Sequence, residues 1–369
     1  MILLSSIVFI IIIIVSVYMR SPQFGAVPKE LRLERIKRSP YYRQGAFSNM
    51  SPTPNFTNGY SVWKVLFRAL TGKFPNKVPS GAIDSVITDL KKLSPDQNVL
   101  VWFGHSSYLL QISGKKFLID PVLSGHASPI ANLVKAFDGS NVYRAEDFPE
   151  IDYLILTHDH FDHVDYKTLV ELREKVNSVI CSLGVGAHLE RWKYKPESII
   201  EKEWNEKEDL GDGLTLHCEP ARHFSGRTFK RNNTLWSSFL LQTPDMNIFL
   251  GGDSGYDSHY KIIGQKYHQI DLAILELGQY DEAWAYIHHH PQEVLQAALD
   301  LKAKRIIPVH NSKFALANHA WDEPLSKITA LNQGNAISIL TPRIGEVVYL
   351  HDMSQQFDPW WEGIDSSYN

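Results

Sequence analysis

"LILTHDHFDHVDY", residues 154–166, places three histidines and two aspartates within residues 158–163, directly after an apolar run. On an extended segment His158 and His160 alternate by two and project to the same side, while Asp162 and His163 turn toward a second point. Imidazole and carboxylate donors suit zinc, manganese or iron. Crowding them at the end of a buried strand is costly unless a cation compensates. An isolated His-x-His string would say little, but no structural role accounts for the whole of this one.

Three further positions share that context, a histidine or aspartate where an apolar strand ends. His223 lies in "CEPARHFSGR" (218–227). Asp253 closes "NIFLGGDSGY" (247–256), where Gly251 and Gly252 allow close backbone approach. His310 follows the strand in "KRIIPVHNS" (304–312). Each alone reads as a satisfied core histidine or a turn aspartate. Together with the crowded string they form a set of seven, and strand ends at one sheet edge are where α/β folds assemble sites. "VLVWFGHSSYLLQISGKKFLIDP" (99–121) reads as two strands, a Ser113-Gly114 turn and a third strand ending at Asp120. The runs "IDYLILTH", "LTLHC", "LWSSFLLQT", "NIFLGGD", "LAILELG", "KRIIPVH" and "AISILTPRIGEVVYL" read as further strands. Helices are expected from about 166 to 175 and from Pro291 to about Lys302. Strands with interspersed helices predict a layered α/β architecture.

Composition bounds the rest. Of 369 residues 44% are hydrophobic and 21% charged, as in ordinary globular chains. A formal net charge of -4 lacks the basic excess of a nucleic-acid binder. Cys181 and Cys218 are too few for a disulfide framework, and read as buried thiols or a single bridge. Residues 1–19, "MILLSSIVFIIIIIVSVYM", are apolar from Ile2 to Tyr18, at the short end of the roughly 17–25 residues that cross a bilayer. A cleaved signal peptide fits less well, since no Lys or Arg precedes the run and no small-x-small site follows it. The expectation is a single-pass N-terminal transmembrane helix. Arg20, Lys29, Arg32, Arg35, Lys37, Arg38 and Arg43 follow it against Glu30 and Glu34 alone, which places the bulk of the protein, with the domain that carries the set of seven, on the cytoplasmic face. Residues 20–96 then form a basic juxtamembrane extension, irregular to about residue 58. Within it "YSVWKVLFRALTGKFPNK" (60–77) carries a helical apolar face of Val62, Trp63, Leu66, Phe67 and Leu70. That face reads equally as an interfacial helix or as a surface packed on the domain. The domain spans 97–351, and 352–369 form a polar tail.

In order along the chain, "THDHFDHVDY", "HFSGRT", "GGDSGY", "HHHPQEVLQAALD" and "PVHNSKFALANHAWDEP" resemble the metallo-β-lactamase superfamily. They are most similar to its branch of N-acylphosphatidylethanolamine phospholipase D and related bacterial hydrolases. The resemblance covers residues 98–351 and implies a four-layer αβ/βα sandwich with a site at one edge. It implies two Zn2+ ions, with Mn2+ or Fe2+ tolerated by the same donors: His158, His160 and His223 for one, Asp162, His163 and His310 for the other, Asp253 bridging both. Asp120 in "LIDP" would support the centre from behind. Either Asp162 or Asp253 would orient a water. His288, in "IHHHPQE", would hydrogen-bond a phosphate or assist a leaving group, and Arg227 would reach an anionic group. The implied activity is a phosphodiesterase of phospholipase D type on N-acylphosphatidylethanolamine-like lipids. The other readings are a lactone or ester hydrolase, or a membrane-tethered binding protein with a vestigial site. Expected partners are a phospholipid or other small-molecule substrate and the membrane through the N-terminal helix, with no nucleic acid and the oligomeric state open.

Overall fold

Residues 2–364, apart from 131, 333, 335 and 336, are described by a computed structural model. Helices α1 (Ile2–Tyr18), α2 (Glu30–Arg38) and α3 (Val62–Thr71) and a hairpin of β1 (Tyr42–Arg43) and β2 (Ala46–Phe47) precede two large sheets. The first sheet takes β3 (Val99–Trp102), β4 (Tyr108–Ile112), β5 (Lys115–Ile119), β6 (Ile151–Leu156), β7 (Val176–Ser182) and β8 (Ile199–Lys202). The second takes β9 (Lys207–Gly211), β10 (Leu214–Glu219), β11 (Ser238–Gln242), β12 (Asn247–Leu250), β13 (Ile270–Glu276), β14 (Ala303–Val309) and β15 (Ser338–Ile339). Strand β16 (Val347–Tyr349) returns to pair with β3 in the first sheet. In each sheet an antiparallel meander passes into parallel pairs: β5 to β8 in the first, β12 to β15 in the second.

Side-chain alternation assembles the layers. Tyr108, Leu110 and Ile112 of β4 and Ile155 of β6 face a core shared with Leu216, Phe239, Leu250, Ile274 and Ile307 of the second sheet. The intervening Leu109, Leu154 and Leu156 face outward, under α4 (Tyr166–Leu172) and α5 (Gly186–Arg191). Phe249, Ala273 and Leu275 do the same beneath α6 (His259–Tyr267), α7 (Pro291–Asp300) and α8 (Glu323–Leu331). Burial on both faces is why these strands read as continuous apolar runs. The result is the expected four-layer αβ/βα sandwich. Cys181 and Cys218 are buried free thiols.

The N-terminal expectations are corrected. Among the described residues no helix is long and apolar enough to cross a membrane. Helix α1 has 17 residues and so spans about 25 Å, short of the roughly 30 Å of bilayer hydrocarbon. Its C-terminal end docks on the domain, Tyr18 donating to the Pro129 carbonyl at 2.7 Å and packing edge-on to Phe24. The basic flank is bound to the domain too. Arg32 pairs with Glu190 and Glu201, each at 2.7 Å, and Arg35 with Glu206 at 2.7 Å. The transmembrane anchor, the membrane partnership built on it and the cytoplasmic facing all fall with this finding. Met1 and residues 365–369 of the expected tail lie outside the described residues. The stretch expected to be irregular holds α2, whose Ile36 is fully buried. Helix α3 forms as its spacing suggests, capped by Ser61, with none of its side chains buried. Arg68 ties it to Asp281.

Lys313 joins the two halves behind the site. Its ammonium, buried, donates to the Phe103 and Val122 carbonyls at 2.9 Å each. Burial depresses its pKa from 10.5 to about 7. Unfolded chains therefore bind more protons between those values, so this group makes stability rise with pH across that window. The stability of the native protein relative to Lys313→Met is expected to grow by on the order of 2 kcal/mol between pH 7 and 9, read by urea unfolding. A flat difference would contradict it.

Candidate metal centre

The chemistry-bearing residues lie where strands end at one edge of the sandwich. Asp120 follows β5, His158 to His163 follow β6, His223 follows β10, Asp253 follows β12 and His310 follows β14. The backbone there is strained: Asp120, His105 and His310 are left-handed, with φ of 40°, 52° and 68°. The glycines before Asp253 are needed as expected. A Cβ on Gly251 would lie 2.7 Å from the Ile274 carbonyl, and Gly252 has φ of 59°.

Two four-residue side-chain groups, each able to hold a metal ion, meet at this edge, and a third of Asp253, His288 and His310 overlaps them. In the first, His158 Nε2 lies 2.9 Å and His223 Nε2 3.2 Å from His160 Nδ1. Asp253 Oδ2 stands 3.8 and 3.7 Å from those Nε2 atoms. The second brings together Asp162, His163, His310 and His105. Asp253 reaches this group as well, with Oδ2 3.2 Å from His163 Nε2 and Oδ1 3.2 Å from His310 Nδ1. The seven residues singled out above therefore converge, with Asp253 between the two groups.

Hydrogen bonds behind the rings decide which nitrogens are bare. His163 Nδ1 donates to Asp120 Oδ2 at 2.8 Å. Thr157 Oγ1 donates to the same oxygen at 2.6 Å, so it must accept from His158 Nδ1 at 3.0 Å. His223 Nδ1 donates to the Ile287 carbonyl at 2.9 Å. Nε2 of His158, His163 and His223 are left with lone pairs aimed inward. Asp120, itself wholly buried, thus sets a ring in each group, as an outer-shell carboxylate does behind metal-binding histidines.

This arrangement fits a cation in each group. Three nitrogens converging in the first can share at most one or two protons, and His163 Nε2 in the second is a buried orphan facing two carboxylates. Burial, then neighbouring imidazoles, pushes His158, His223 and His310 well below the ordinary histidine pKa, so they are the neutral donors a metal requires. Burial also opposes charge on His163, yet Asp253 and Asp162 push it well above: positive charge is favoured at that point. Against burial, His163 and His105 hold Asp162 well below the usual carboxyl range. A plausible dinuclear metal-binding cluster follows from the donor set.

The centre opens into a cavity of about 280 Å³. His288 lines it, its ring stacked on His310 with centroids 5.2 Å apart. Arg227 does not reach it. Its guanidinium is buried over the Phe161 ring and donates to the carbonyls of Gln23, Asp159 and Val164, bracing the loop that carries His158 to His163. Burial lowers its pKa to about 10. The arginine on the cavity is Arg231, 4.6 Å over the Phe224 ring, and Phe224 in turn packs against His160 at 4.3 Å. Two more residues escaped the sequence reading. His105 Nε2 donates to Asp162 Oδ2 at 2.9 Å. Its signal, a histidine just past an apolar strand in "WFGHSS", was of the kind that singled out His310. Asn49 clamps the His223 backbone, accepting from its N–H at 3.0 Å and donating to its carbonyl at 2.8 Å. No local pattern marks it.

Residues 115–311 match the family described as Beta-lactamase superfamily domain. The chain belongs to the metallo-β-lactamase superfamily. A particular relative, an uncharacterized protein of Mycobacterium tuberculosis, is 34% identical over 88% of each chain. An N-acyl-phosphatidylethanolamine-hydrolyzing phospholipase D of Caenorhabditis elegans is 25% identical over 82% of this chain and 90% of that one. Among solved structures, a metallo hydrolase from Ignicoccus hospitalis shares the fold with a TM-score of 0.51 and 19% identity, over 68% of this chain and 97% of the other.

If the two groups each take an ion, native protein is expected to carry about two metal ions per chain and His223→Ala about one, with Asp253→Asn depleted of both, by elemental mass spectrometry of equally folded samples. Asp120→Asn should weaken metal retention about 10–100-fold against a chelator while every direct donor is kept. Unaltered retention in that variant would count against the role given to Asp120.

Proposed function

We propose that this protein is a zinc-dependent phosphodiesterase of phospholipase D type, acting on N-acylphosphatidylethanolamine-like lipids. The observation that carries the reading is the cavity itself. Its lining joins the metal-binding cluster and His288 to the apolar Phe56, Trp284, Ile287 and Leu316 and to Arg231. A phosphodiester with an apolar arm suits both the apolar lining and Arg231, since arginine pairs charge and hydrogen bonds with phosphate oxygens, whereas a neutral lactone offers it an acceptor but no charge. The activity named for the C. elegans relative supports the same class. A cavity of about 280 Å³ takes a headgroup rather than acyl chains, and the exposed Trp63, Phe67 and Leu70 of α3 offer apolar surface beside it, where Arg68 holds the helix to Asp281.

His158, His160, His223 and Asp253 would hold one zinc ion, and Asp162, His163, His310 and Asp253 the other. When bound, such a pair supplies Lewis acidity and a hydroxide-forming centre near neutral pH. The chain's own residues do the remainder. His105 holds one oxygen of Asp162, leaving the other to orient the attacking water. His288 faces the reacting phosphoryl group, and Arg231 steadies its anionic charge at the cavity mouth.

The test is zinc-loaded protein in detergent with N-acylphosphatidylethanolamine, following release of phosphatidic acid by mass spectrometry. Release is expected, with at least about a 100-fold loss in His160→Ala. A metal-replete protein that releases none would rule out this substrate, and hydrolysis of neutral lactones with KM indifferent to Arg231→Met would rule out the phosphodiester class.

A further inference from the structure

Behind the cavity wall lies a carboxylate with no part in the chemistry so far. Glu276 is the last residue of β13, and its side chain has no solvent exposure. Oε1 accepts from the His289 backbone N–H at 2.7 Å and lies 3.2 Å from His289 Nδ1. Oε2 faces His288 Nδ1 at 3.6 Å. That is slightly long for a formed hydrogen bond, and both atoms are otherwise buried without a partner. An ionised carboxylate this deep costs several kcal/mol unless donors converge on it, and a fixed catalytic geometry is a common reason to keep one. His289 is fully buried against Tyr260 and does not line the cavity, so His288 is the neighbour through which Glu276 can act on a ligand.

The geometry points to Glu276 as the positioning residue of His288: it holds the proton on Nδ1 and so presents Nε2 to the group reacting at the metal centre. A carboxylate only accepts, so the ring nitrogen facing it must carry the hydrogen whether the imidazole is neutral or cationic. With Nδ1 committed, Nε2 is the atom left for the cavity. The stack on His310 at 16° between planes and the contact with His223 fix the plane of the ring, while Glu276 fixes its tautomer. The same division holds at His163, where Asp120 takes Nδ1 and Nε2 faces inward. The inference rests on the metal-hydrolase reading of the site but not on the choice of substrate.

Substitution by glutamine inverts the instruction. The His289 backbone N–H requires an oxygen at the Oε1 position, so the amide NH2 must face His288 Nδ1. That nitrogen must then accept, and the proton moves to Nε2. Zinc-loaded native protein labelled with 15N-histidine, with His288 assigned by its loss in His288→Ala, is expected to show a protonated Nδ1. Glu276→Gln should show a bare Nδ1, keep its metal content, and lose about 10–100-fold in kcat with KM nearly unchanged. In a His288→Ala background the same substitution should cost no further activity. A bare Nδ1 in the native protein overturns the proposal without any variant having to fold. So does metal loss in Glu276→Gln, unaltered kcat, or a loss of equal size when His288 is absent. The nuclear magnetic resonance measurement uses no substrate, so failure of the lipid phosphodiester reading leaves it standing.

Discussion

Imidazole lone pairs gathered in a buried space repel one another and lose the hydration of open solvent. The molecule is organised around that constraint. Three of the rings are held from behind by an acceptor that keeps a proton on the outer nitrogen: Asp120 for His163, Thr157 for His158 and the Ile287 carbonyl for His223. Asp120 serves two rings because Thr157 relays its demand to His158. One buried carboxylate thereby coordinates the two groups, and Asp253 joins them from the opposite sheet.

Holding such a cluster requires stiff surroundings. The parallel halves of both sheets send their strand ends to the same edge, and apolar layers on both faces of each sheet keep those ends in register. Left-handed backbone at Asp120, His105 and His310 costs about 1–3 kcal/mol at each position and persists only where packing over-determines it. Two buried cations act as braces. Arg227 collects carbonyls of the loop after β6, and Lys313 those of the chain after β3 and β5. Neither meets the cavity, although both are near it in sequence terms.

The ligand set was legible because each member announces itself locally, as a polar residue closing an apolar run. The layered α/β class was legible for a related reason, since runs buried on both faces look unlike half-exposed strands, while the four-layer arrangement was what the family resemblance implied. What escaped depends on direction, which a sequence does not carry. Arg227 sits four residues after His223 and looks like a substrate contact, but its side chain turns to Gln23 and the loop after β6. Arg231 becomes the cavity arginine only through its stack on Phe224. Residues 1–19 read as an anchor from their apolarity and a length at the short end of what crosses a bilayer. Length and the pairing of Arg32 with Glu190 and Glu201 reversed that reading, and the second fact is a long-range contact no local window contains. Glu276 did carry a signal, a carboxylate ending the buried run "LAILELG", hidden by the histidine string that drew attention instead.

Chemistry and selectivity are supplied by different parts of the chain. The donors come from strand ends within residues 115–311, the stretch shared with the superfamily. Part of the cavity lining comes from outside it. Asn49, Thr53, Pro54, Asn55 and Phe56 belong to the N-terminal extension, and Leu316 lies beyond the shared span. The extension is coupled to the metal centre, because Asn49 grips the backbone of His223 while its neighbours contact whatever fills the cavity. Loops of this kind tolerate change that strand ends do not. A common hydrolytic centre can therefore be fitted to a new substrate by altering the segment that covers it, and the extension's grip on His223 makes that segment part of the active site rather than a lid laid over it.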